Sequence, residues 1–329
     1  MTAEKTLIDP FGRRVSYLRV SVTDRCDLRC KYCMSERMTF LPKKDVLNLE
    51  ELSRLTHAFI DRGVRKVRIS GGEPLVRRDI LDLMKDVSRR LGTDLEELTV
   101  TTNATRLAKY ADDLAALGVK RINVSLDTLD RDIFTKLCRR DQLNSVLEGL
   151  EAAKRAGLAV KINTVLLPQN IETIADMTAW IHGQGFDHSL IEIMPMGDTG
   201  EDRRTQFVPM GEAKDRLDSR FSLIPMVGTD SNAGPARFWR VKETGRRVGF
   251  ISPLTNNFCA GCNRVRLTCT GRIYQCLGRD EFLDLRAILR EGGDLDAAIL
   301  EATGNKPERH DFQINDQPSV SRHMSVTGG

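Results

Sequence analysis

The stretch Lys66-Val67-Arg68-Ile69-Ser70-Gly71-Gly72-Glu73-Pro74 decides the fold. Its first five residues are a short β-rich run, Gly71 to Pro74 break that run, and Ile80, Leu83, Met84, Val87 and Leu91 then recur at helical spacing. One strand–turn–helix unit is therefore legible here. Upstream, Val15–Val22 reads as a strand, and a helix carrying Leu52, Leu55 and Phe59 starts at the capping pair Asn48 and Glu51 and stops at Gly63. Downstream the unit recurs: strand Leu98–Thr102 with Leu107, Ala111, Leu114 and Leu117 on its helix, strand Arg121–Ser125 with a helix around Val146–Ala153, strand Leu158–Thr164 with Ile171, Ile174, Met177 and Ile181, and strand Ser189–Ile193. Six alternations predict an α/β protein with a parallel sheet. An open doubly wound sheet and a curved partial barrel both satisfy that count.

Sites of such folds gather at the carboxyl ends of the strands. The unusual residues sit there: the Cys26–Cys33 loop, Gly71-Gly72-Glu73-Pro74, Thr101-Thr102-Asn103, Ser125-Leu126-Asp127, Asn163, and Glu192 with Met194. Any one of these is ordinary turn chemistry; six on one rim, with a cysteine group among them, predict an active site. After about residue 200 the alternation fades into extended runs (Phe238–Val241, Val248–Ser252, Arg264–Thr268) and a helix at Leu283–Arg290. The expected division is a core over 1–204 and a second region over 205–329, whose Gly328-Gly329 end reads by composition as a frayed tail.

Length and composition fit this picture. At roughly 150 residues per domain, 329 residues suggest about two domains. Fifty Lys and Arg against 46 Asp and Glu leave a net charge of +4 with no long single-sign block, and aromatics are 5%, which argues against a nucleic-acid partner. No run approaches the ~18 apolar residues of a membrane span, and the first residues lack the apolar core of a signal peptide, so a cytoplasmic protein is expected.

Eight cysteines, in a reduced compartment, are better metal ligands than a disulfide framework. Cys26, Cys30 and Cys33 are spaced C-x3-C-x2-C; Cys259, Cys262 and Cys276 are spaced C-x2-C-x13-C; Cys138 stands alone as a packed small hydrophobe. Three thiolates do not close a tetrahedral zinc site, but on a four-iron cluster they leave one iron open to a substrate or cofactor. Arg25, Arg29 and Lys31, interleaved with the first group, would offset negative charge.

The run Tyr17-Leu18-Arg19-Val20-Ser21-Val22-Thr23-Asp24-Arg25-Cys26-Asp27-Leu28-Arg29-Cys30-Lys31-Tyr32-Cys33-Met34, with Gly71-Gly72-Glu73-Pro74, resembles the cluster loop and cofactor segment of the radical S-adenosylmethionine (SAM) superfamily. Phe250-Ile251-Ser252-Pro253, Phe258-Cys259-Ala260-Gly261-Cys262-Asn263-Arg264-Val265-Arg266-Leu267-Thr268, Asn305-Lys306-Pro307-Glu308-Arg309-His310 and the terminal Gly-Gly resemble its GTP 3′,8-cyclase family. The resemblance implies a partial (βα)6 radical SAM barrel whose carboxyl-terminal extension closes the open side and carries a second Fe–S cluster. It implies a lyase that opens molybdenum cofactor biosynthesis: a 5′-deoxyadenosyl radical takes the ribose 3′ hydrogen of GTP, and the sugar radical closes on C8 of guanine.

Carried over, Cys26, Cys30 and Cys33 would hold the SAM-binding [4Fe-4S] cluster, and Cys259, Cys262 and Cys276 a second [4Fe-4S] cluster that meets GTP. Tyr32, Gly72, Ser125 and Met194 would contact SAM; Arg19, Lys66, Arg68, Thr102, Lys161, Arg264, Val265 and Arg266 would contact GTP. Arg264, Arg266, Gly328 and Gly329 would form the catalytic set, the glycines permitting close approach of the tail. Lys and Arg at strand ends suit a polyphosphate, Arg adding bidentate geometry. The implied partners are GTP, an electron donor and, downstream, the cyclic pyranopterin monophosphate synthase; nucleic acid and membrane are not, and a homodimer is allowed.

Two positions depart from the family pattern. Cys269 falls between Cys262 and Cys276, so Cys259, Cys262, Cys269 and Cys276 could instead form a closed zinc site. Ser189 stands where the family carries an arginine expected to pair with the SAM carboxylate, which predicts reduced SAM affinity and activity. The neighbouring His188 should point to the other face of its strand. Competing readings are a peptide-modifying radical enzyme, a zinc or cluster scaffold, and a nucleotide-binding regulator.

Overall fold

The computed structural model describes residues 6–226, 234–315 and 317–328. Six βα units follow one another: β1 (Tyr17–Ser21), α1 (Leu49–Asp61), β2 (Lys66–Ser70), α2 (Ile80–Ser88), β3 (Glu97–Thr102), α3 (Leu107–Ala116), β4 (Arg121–Ser125), α4 (Arg131–Cys138), α5 (Leu143–Arg155), β5 (Ala159–Val165), α6 (Ile174–Gly183) and β6 (Asp187–Ile191). β1 to β6 lie side by side in chain order, every pairing parallel.

That order separates the two folds left open by periodicity. A doubly wound sheet reverses its order at a switch point and carries helices on both faces. Sequential parallel strands joined by right-handed crossovers put every helix on one face, and a sheet covered on one side must curl around the other to bury it. The strands alternate accordingly. Leu18, Val20, Val67, Ile69, Val100 and Ile122 point outward into the principal hydrophobic core beneath the helices. The intervening Tyr17, Arg19, Lys66 and Arg68 point inward and are nonetheless buried. The fold is a partial barrel with a polar interior.

Local chemistry sets the helix starts. Asn48 Oδ1 accepts from the Glu51 amide at 2.7 Å and Glu51 Oε2 accepts from the Asn48 amide at 2.9 Å, the capping box expected from sequence. Asp130 likewise caps α4 through the Ile133 amide.

The strands after residue 205 do not build a sheet of their own. β7 (Leu223–Pro225), β8 (Arg237–Val241), β9 (Arg247–Ile251), β10 (Arg264–Leu267), β11 (Arg272–Tyr274) and β12 (Leu283–Asp284) extend the first one at both edges, giving the order β12-β11-β10-β1-β2-β3-β4-β5-β6-β9-β8-β7. The edges of a six-stranded sheet carry unpaired backbone donors and acceptors; β10 satisfies β1, and β9 satisfies β6, both in parallel register. α7 (Arg203–Gln206) and α8 (Met210–Asp218) follow β6, and the latter packs with Val241, Val248 and Phe250 in a second core. After α9 (Leu285–Arg290) and α10 (Leu295–Gly304), the chain returns across the barrel, where the Gly197 amide donates to the Val320 carbonyl at 2.9 Å. It ends in α11 (Met324–Thr327). No helix of the described residues is long and apolar enough to cross a membrane.

Candidate active site

The loop after β1 lies on the glycine turn after β2. A Cβ on Gly72 would sit 2.3 Å from the Arg25 carbonyl oxygen and one on Gly71 2.5 Å from that of Thr23, so only glycines let the two loops touch. The Gly72 amide donates to Thr23 and the Glu73 amide to Arg25, each at 2.8 Å. This fixes the segment that presents Cys26, Cys30 and Cys33. Asn103 Nδ2 points at Cys26 Sγ from 3.6 Å and the Leu28 amide from 3.4 Å. Burial pushes Cys26 and Cys33 up, Cys33 to about 12, and Cys30 is raised first by its contact with Cys138 and then by burial. Buried thiols that resist ionisation alone, ringed by N–H donors, suit a cationic iron centre that supplies the missing charge.

Tyr32 donates to Asp127 Oδ2 at 2.6 Å, and burial raises the Asp127 carboxyl to about 6 against that bond and the one from the Val165 amide. Arg29 Nη1 is taken up by the Leu28 carbonyl at 2.8 Å. Cys138, buried as expected, has Sγ 3.7 Å from Cys30 Sγ.

Deeper in the barrel, strand register assembles a row of cations. Arg19 on β1 is the direct partner of Arg266 on β10 and of Arg68 on β2; one step lower, Tyr17 partners Arg264 and Lys66. Like charges side by side on adjacent strands repel. Arg19, Arg68, Arg264 and Arg266 are each no more than 8% exposed, each keeps an Nε without a hydrogen-bond partner, and none meets a carboxylate among the described residues. Lys66 alone has one, Glu97 Oε2 at 2.8 Å. Burial lowers Arg68 to about 10 and Arg266 to about 9, their cationic neighbours adding to the effect. Lys161 on β5 belongs to the same field: burial first, then the charges of Arg68, Arg121 and Lys66, push its ammonium well down. So much desolvated positive charge calls for a polyanion.

Above this row, Thr101 Oγ1, Asn163 Oδ1 and Ser189 Oγ are buried without partners. Asn163 and Ser189 are register neighbours, with Gly249 beyond them. Unpartnered polar atoms between the cysteine loop and the cation row mark the interior as a ligand cavity.

The second cysteine group adjoins the Arg264–Arg266 edge. Burial opposes ionisation of Cys262, but the charges of Lys306, Arg264 and Arg266 outweigh it and bring the thiol down to about 7. Lys306 Nζ lies 3.5 Å from Cys262 Sγ and donates to the Gln275 carbonyl at 2.8 Å. Burial raises Cys259, and Cys276 and Cys262 lie close enough to raise it further. Cys269 stands elsewhere: its thiol is pushed to about 12 by burial, and the charges it feels are those of Asp24 and Arg77. A single zinc would draw its sulfurs to within about 3.8 Å of one another. Among the described residues no three Cys, His, Asp or Glu side chains converge closely enough to hold one ion. Three thiols with cations beside them, and Cys269 apart from them, suit an open-iron cluster rather than a closed four-cysteine zinc site.

The tail joins the two regions. The Ser325 amide faces the Cys33 thiol, and Arg19 Nη1 donates to the Gly328 carbonyl at 3.0 Å. Gly328 has φ +73°, and a Cβ there would lie 2.2 Å from Ser70 Oγ. Of the two readings of this end, frayed by composition or entering the site by resemblance, the seat of Gly328 favours the second. Gly329 lies outside the described residues.

Several sequence expectations need correction. Val265 is in register with Leu18 and buried at 1% in the outward core, so its side chain does not enter the cavity. Thr102 points the same outward way; its hydroxyl donates to Glu73 Oε1 at 2.8 Å, and its neighbour Thr101 presents the open hydroxyl instead. Strand parity was the signal. Gly72 offers no free amide, since Thr23 holds it. Glu192 is structural: it accepts from the Met210, Leu254 and Thr255 amides at 3.0–3.1 Å. Ser125 ends β4 half-buried, and Met194 packs beside Met324 against Met196, Phe312 and Val320. His188 faces outward as expected, held by Thr178 and Thr164 at 2.9 Å each, and burial lowers it to about 3.

Sequence reading missed Arg13, whose guanidinium donates to the carbonyls of Cys259 at 2.8 Å and of Pro307 and Glu308 at 2.6 Å. It ties the second cysteine loop to the Asn305–His310 segment, and only the contact reveals it. Tyr17 is a second such residue, its ring lying among Lys66, Arg68 and Arg264.

Known proteins place this geometry. Residues 20–181 match the Radical SAM superfamily model and residues 186–312 the Molybdenum Cofactor Synthesis C model. The chain is 55% identical over 336 aligned residues to the GTP 3′,8-cyclase of Erythrobacter litoralis, covering 99% of this chain and all of that one. It is 54% identical to the GTP 3′,8-cyclase of Rhodopseudomonas palustris, covering 100% of this chain and 97% of the relative. Among solved structures, SuiB of Streptococcus suis bound to S-adenosylmethionine shares the fold at 16% identity, with a TM-score of 0.64 over 95% of this chain and 78% of SuiB.

Proposed function

This chain belongs to the GTP 3′,8-cyclase family of radical SAM enzymes, and from that premise we propose how its own residues carry the first step of molybdenum cofactor biosynthesis. Two [4Fe-4S] clusters and SAM supply the one-electron chemistry and the radical that removes the ribose 3′ hydrogen. Cys26, Cys30 and Cys33 hold the first cluster, with Asn103 and the Leu28 amide donating toward Cys26. Cys259, Cys262 and Cys276 hold the second, with Lys306 keeping Cys262 ready to ionise. Tyr32, Ser125 and Met194 line the SAM end. Gly72 shapes that end through its backbone.

GTP enters with its triphosphate on Arg19, Lys66, Arg68 and Lys161 and its base toward the second cluster, where Arg264 and Arg266 stand. The observation that carries this reading is the Arg266–Arg19–Arg68 row, buried without a carboxylate. Gly328 brings the tail against the same row without a side chain to obstruct the substrate, and we assign Gly329, which lies outside the described residues, to the same catalytic set by resemblance alone. Residues 1–204 serve as the radical core and 205–329 as the substrate-closing region. The reading calls for an electron donor, and the cyclised nucleotide would pass to the cyclic pyranopterin monophosphate synthase.

The test is anaerobically reconstituted, reduced protein given SAM and GTP, with 5′-deoxyadenosine and the cyclised nucleotide measured together. Both products, each dependent on GTP, are expected. 5′-Deoxyadenosine with GTP left intact would overturn the substrate assignment; neither product, with both clusters intact, would overturn the activity.

A further inference from the structure

Tyr17 is the first residue of β1, 1% exposed, and in register with Arg264 on one side and Lys66 on the other. Three cations crowd its ring: Lys66 Nζ is 5.1 Å from the centroid, Arg264 Cζ 5.3 Å and Arg68 Cζ 5.4 Å. Energetically significant contacts of this kind occur about once per 70–80 residues. Three on one buried ring, all from residues assigned here to GTP, are an arrangement rather than scatter.

We propose that Tyr17 is a positioning residue for the triphosphate, its ring gathering Lys66, Arg68 and Arg264 into one fan of donors. This rests on the GTP reading above.

The physical need is plain. Buried cations on neighbouring strands repel and would splay apart in the absence of substrate. A carboxylate at position 17 would hold them, but it would also occupy the N–H groups that must reach phosphate oxygens. The negative face of an aromatic ring attracts cations without accepting those hydrogen bonds. Arg264 and Arg68 keep unpartnered Nε atoms, as Arg19 and Arg266 do, so the ring contact has not taken up these donors. Opposing pulls come from further round the barrel: Glu97 on β3 draws Lys66, and Asn123 on β4 presents its amide oxygen to Arg68, with Nη2 at 3.0 Å. The ring sets the balance point. Its phenol oxygen is buried without a hydrogen-bond partner, so the ring acts on the cations through its face.

The test keeps the shape of the ring and changes its charge distribution. Reconstituted enzyme carrying Tyr17→Phe or Tyr17→pentafluorophenylalanine is compared with the native chain for binding of GTP, guanosine and inorganic triphosphate by equilibrium dialysis. Fluorination reverses the ring quadrupole at nearly constant size, so the packing volume is kept and unchanged guanosine binding checks that the barrel is folded. Tyr17→Phe should hold GTP and triphosphate within about threefold, the rescue expected of a ring that acts through its face. Pentafluorophenylalanine should weaken both roughly tenfold or more and leave guanosine unchanged. Equal binding by the two variants would overturn the proposal. So would a loss in Tyr17→Phe as large as in the fluorinated chain, or an equal loss of guanosine. Native enzyme that binds triphosphate but not GTP would sink the substrate reading while the ring effect on triphosphate still decides the role of Tyr17.

Discussion

Arg19 donates to the carbonyl of Gly328 across 309 residues of chain, at 3.0 Å, inside the barrel. The carboxyl end is thereby tied to the middle of the cation row, on the strand that leads directly into the first cysteine loop. Sequence places these two features at opposite ends of the chain; the structure makes them one wall of the cavity.

Gly328→Ala tests that wall. The residue has φ +73°, and an added methyl would meet Ser70 Oγ at 2.2 Å, where Ser70 is itself 1% exposed and has nowhere to go. The tail should leave its seat while the barrel stays folded. 5′-Deoxyadenosine should still form, but cyclised nucleotide should fall by about tenfold to a hundredfold, the usual effect of a small misplacement at a reacting centre. Product ratios from a single reaction read this out, and an unchanged ratio would show the tail contact to be idle.

Arg68 gives a trade-off between stability and binding. Its guanidinium is buried, desolvated and flanked by Arg19. Replacing an uncompensated buried charge by an apolar side chain of similar length is often stabilising. Arg68→Met should therefore raise the melting temperature of the GTP-free enzyme by a few degrees. Inorganic triphosphate should raise that of the native chain and do much less for the variant. Calorimetry in the absence and presence of triphosphate checks both arms.

Glu97 makes the acid side of the stability curve predictable. Burial pushes its carboxyl up, but Arg121 and Lys66 outweigh this and bring it from 4.5 to about 2. A depressed folded value contributes stability that is fully present above the unfolded value and is lost as pH falls through the folded one. Between about pH 4.5 and 2 the native chain should lose on the order of 1–3 kcal/mol from this group, the side chain being a quarter exposed. Glu97→Gln should melt lower at neutral pH, and the gap should close as pH approaches 2. A gap independent of pH would mean the loss is packing rather than charge.

How much of this was legible can be argued from neighbouring residues. Helix faces and caps follow local rules, so Asn48 with Glu51 and the six alternations were readable. Whether the sheet was open or curled was not, because strand order is a long-range property. Thr101 and Thr102 are a different case: both are hydroxyls at one strand end, alternation from the apolar Val100 puts Thr102 on the outer face, and the register of Thr101 with Asn123 agrees. Cysteine spacing carried the two clusters, since metal chemistry fixes it locally. Arg13 carried no signal, because its role is a contact with Cys259, 246 residues away.

Ser189 stands where the resemblance implies an arginine, and its setting turns that expectation into a measurement. Its hydroxyl is fully buried, has no partner, and faces the cavity beside Asn163, whose Oδ1 is also unpartnered. His188 cannot substitute, since its ring is bound on the outer face by Thr178 and Thr164. A charge-assisted bond to a carboxylate contributes roughly 1.5–3 kcal/mol, about tenfold to a hundredfold in affinity. The native chain should therefore bind SAM more weakly than a relative carrying arginine there, and Ser189→Arg should tighten it by about that factor. Space as well as charge shapes the outcome: a Cβ on the neighbouring Gly249 would lie 2.8 Å from Phe238, so the wall behind Ser189 is crowded. A long side chain must extend into the cavity rather than back into that wall. Ser189→Lys separates the two effects, since it brings the charge without the bidentate fork. If arginine tightens SAM binding and lysine does so less, the missing fork is the cause of weak binding. If neither tightens it and the native chain already binds SAM as well as its relatives, the carboxylate is held by other groups and serine at 189 is no handicap.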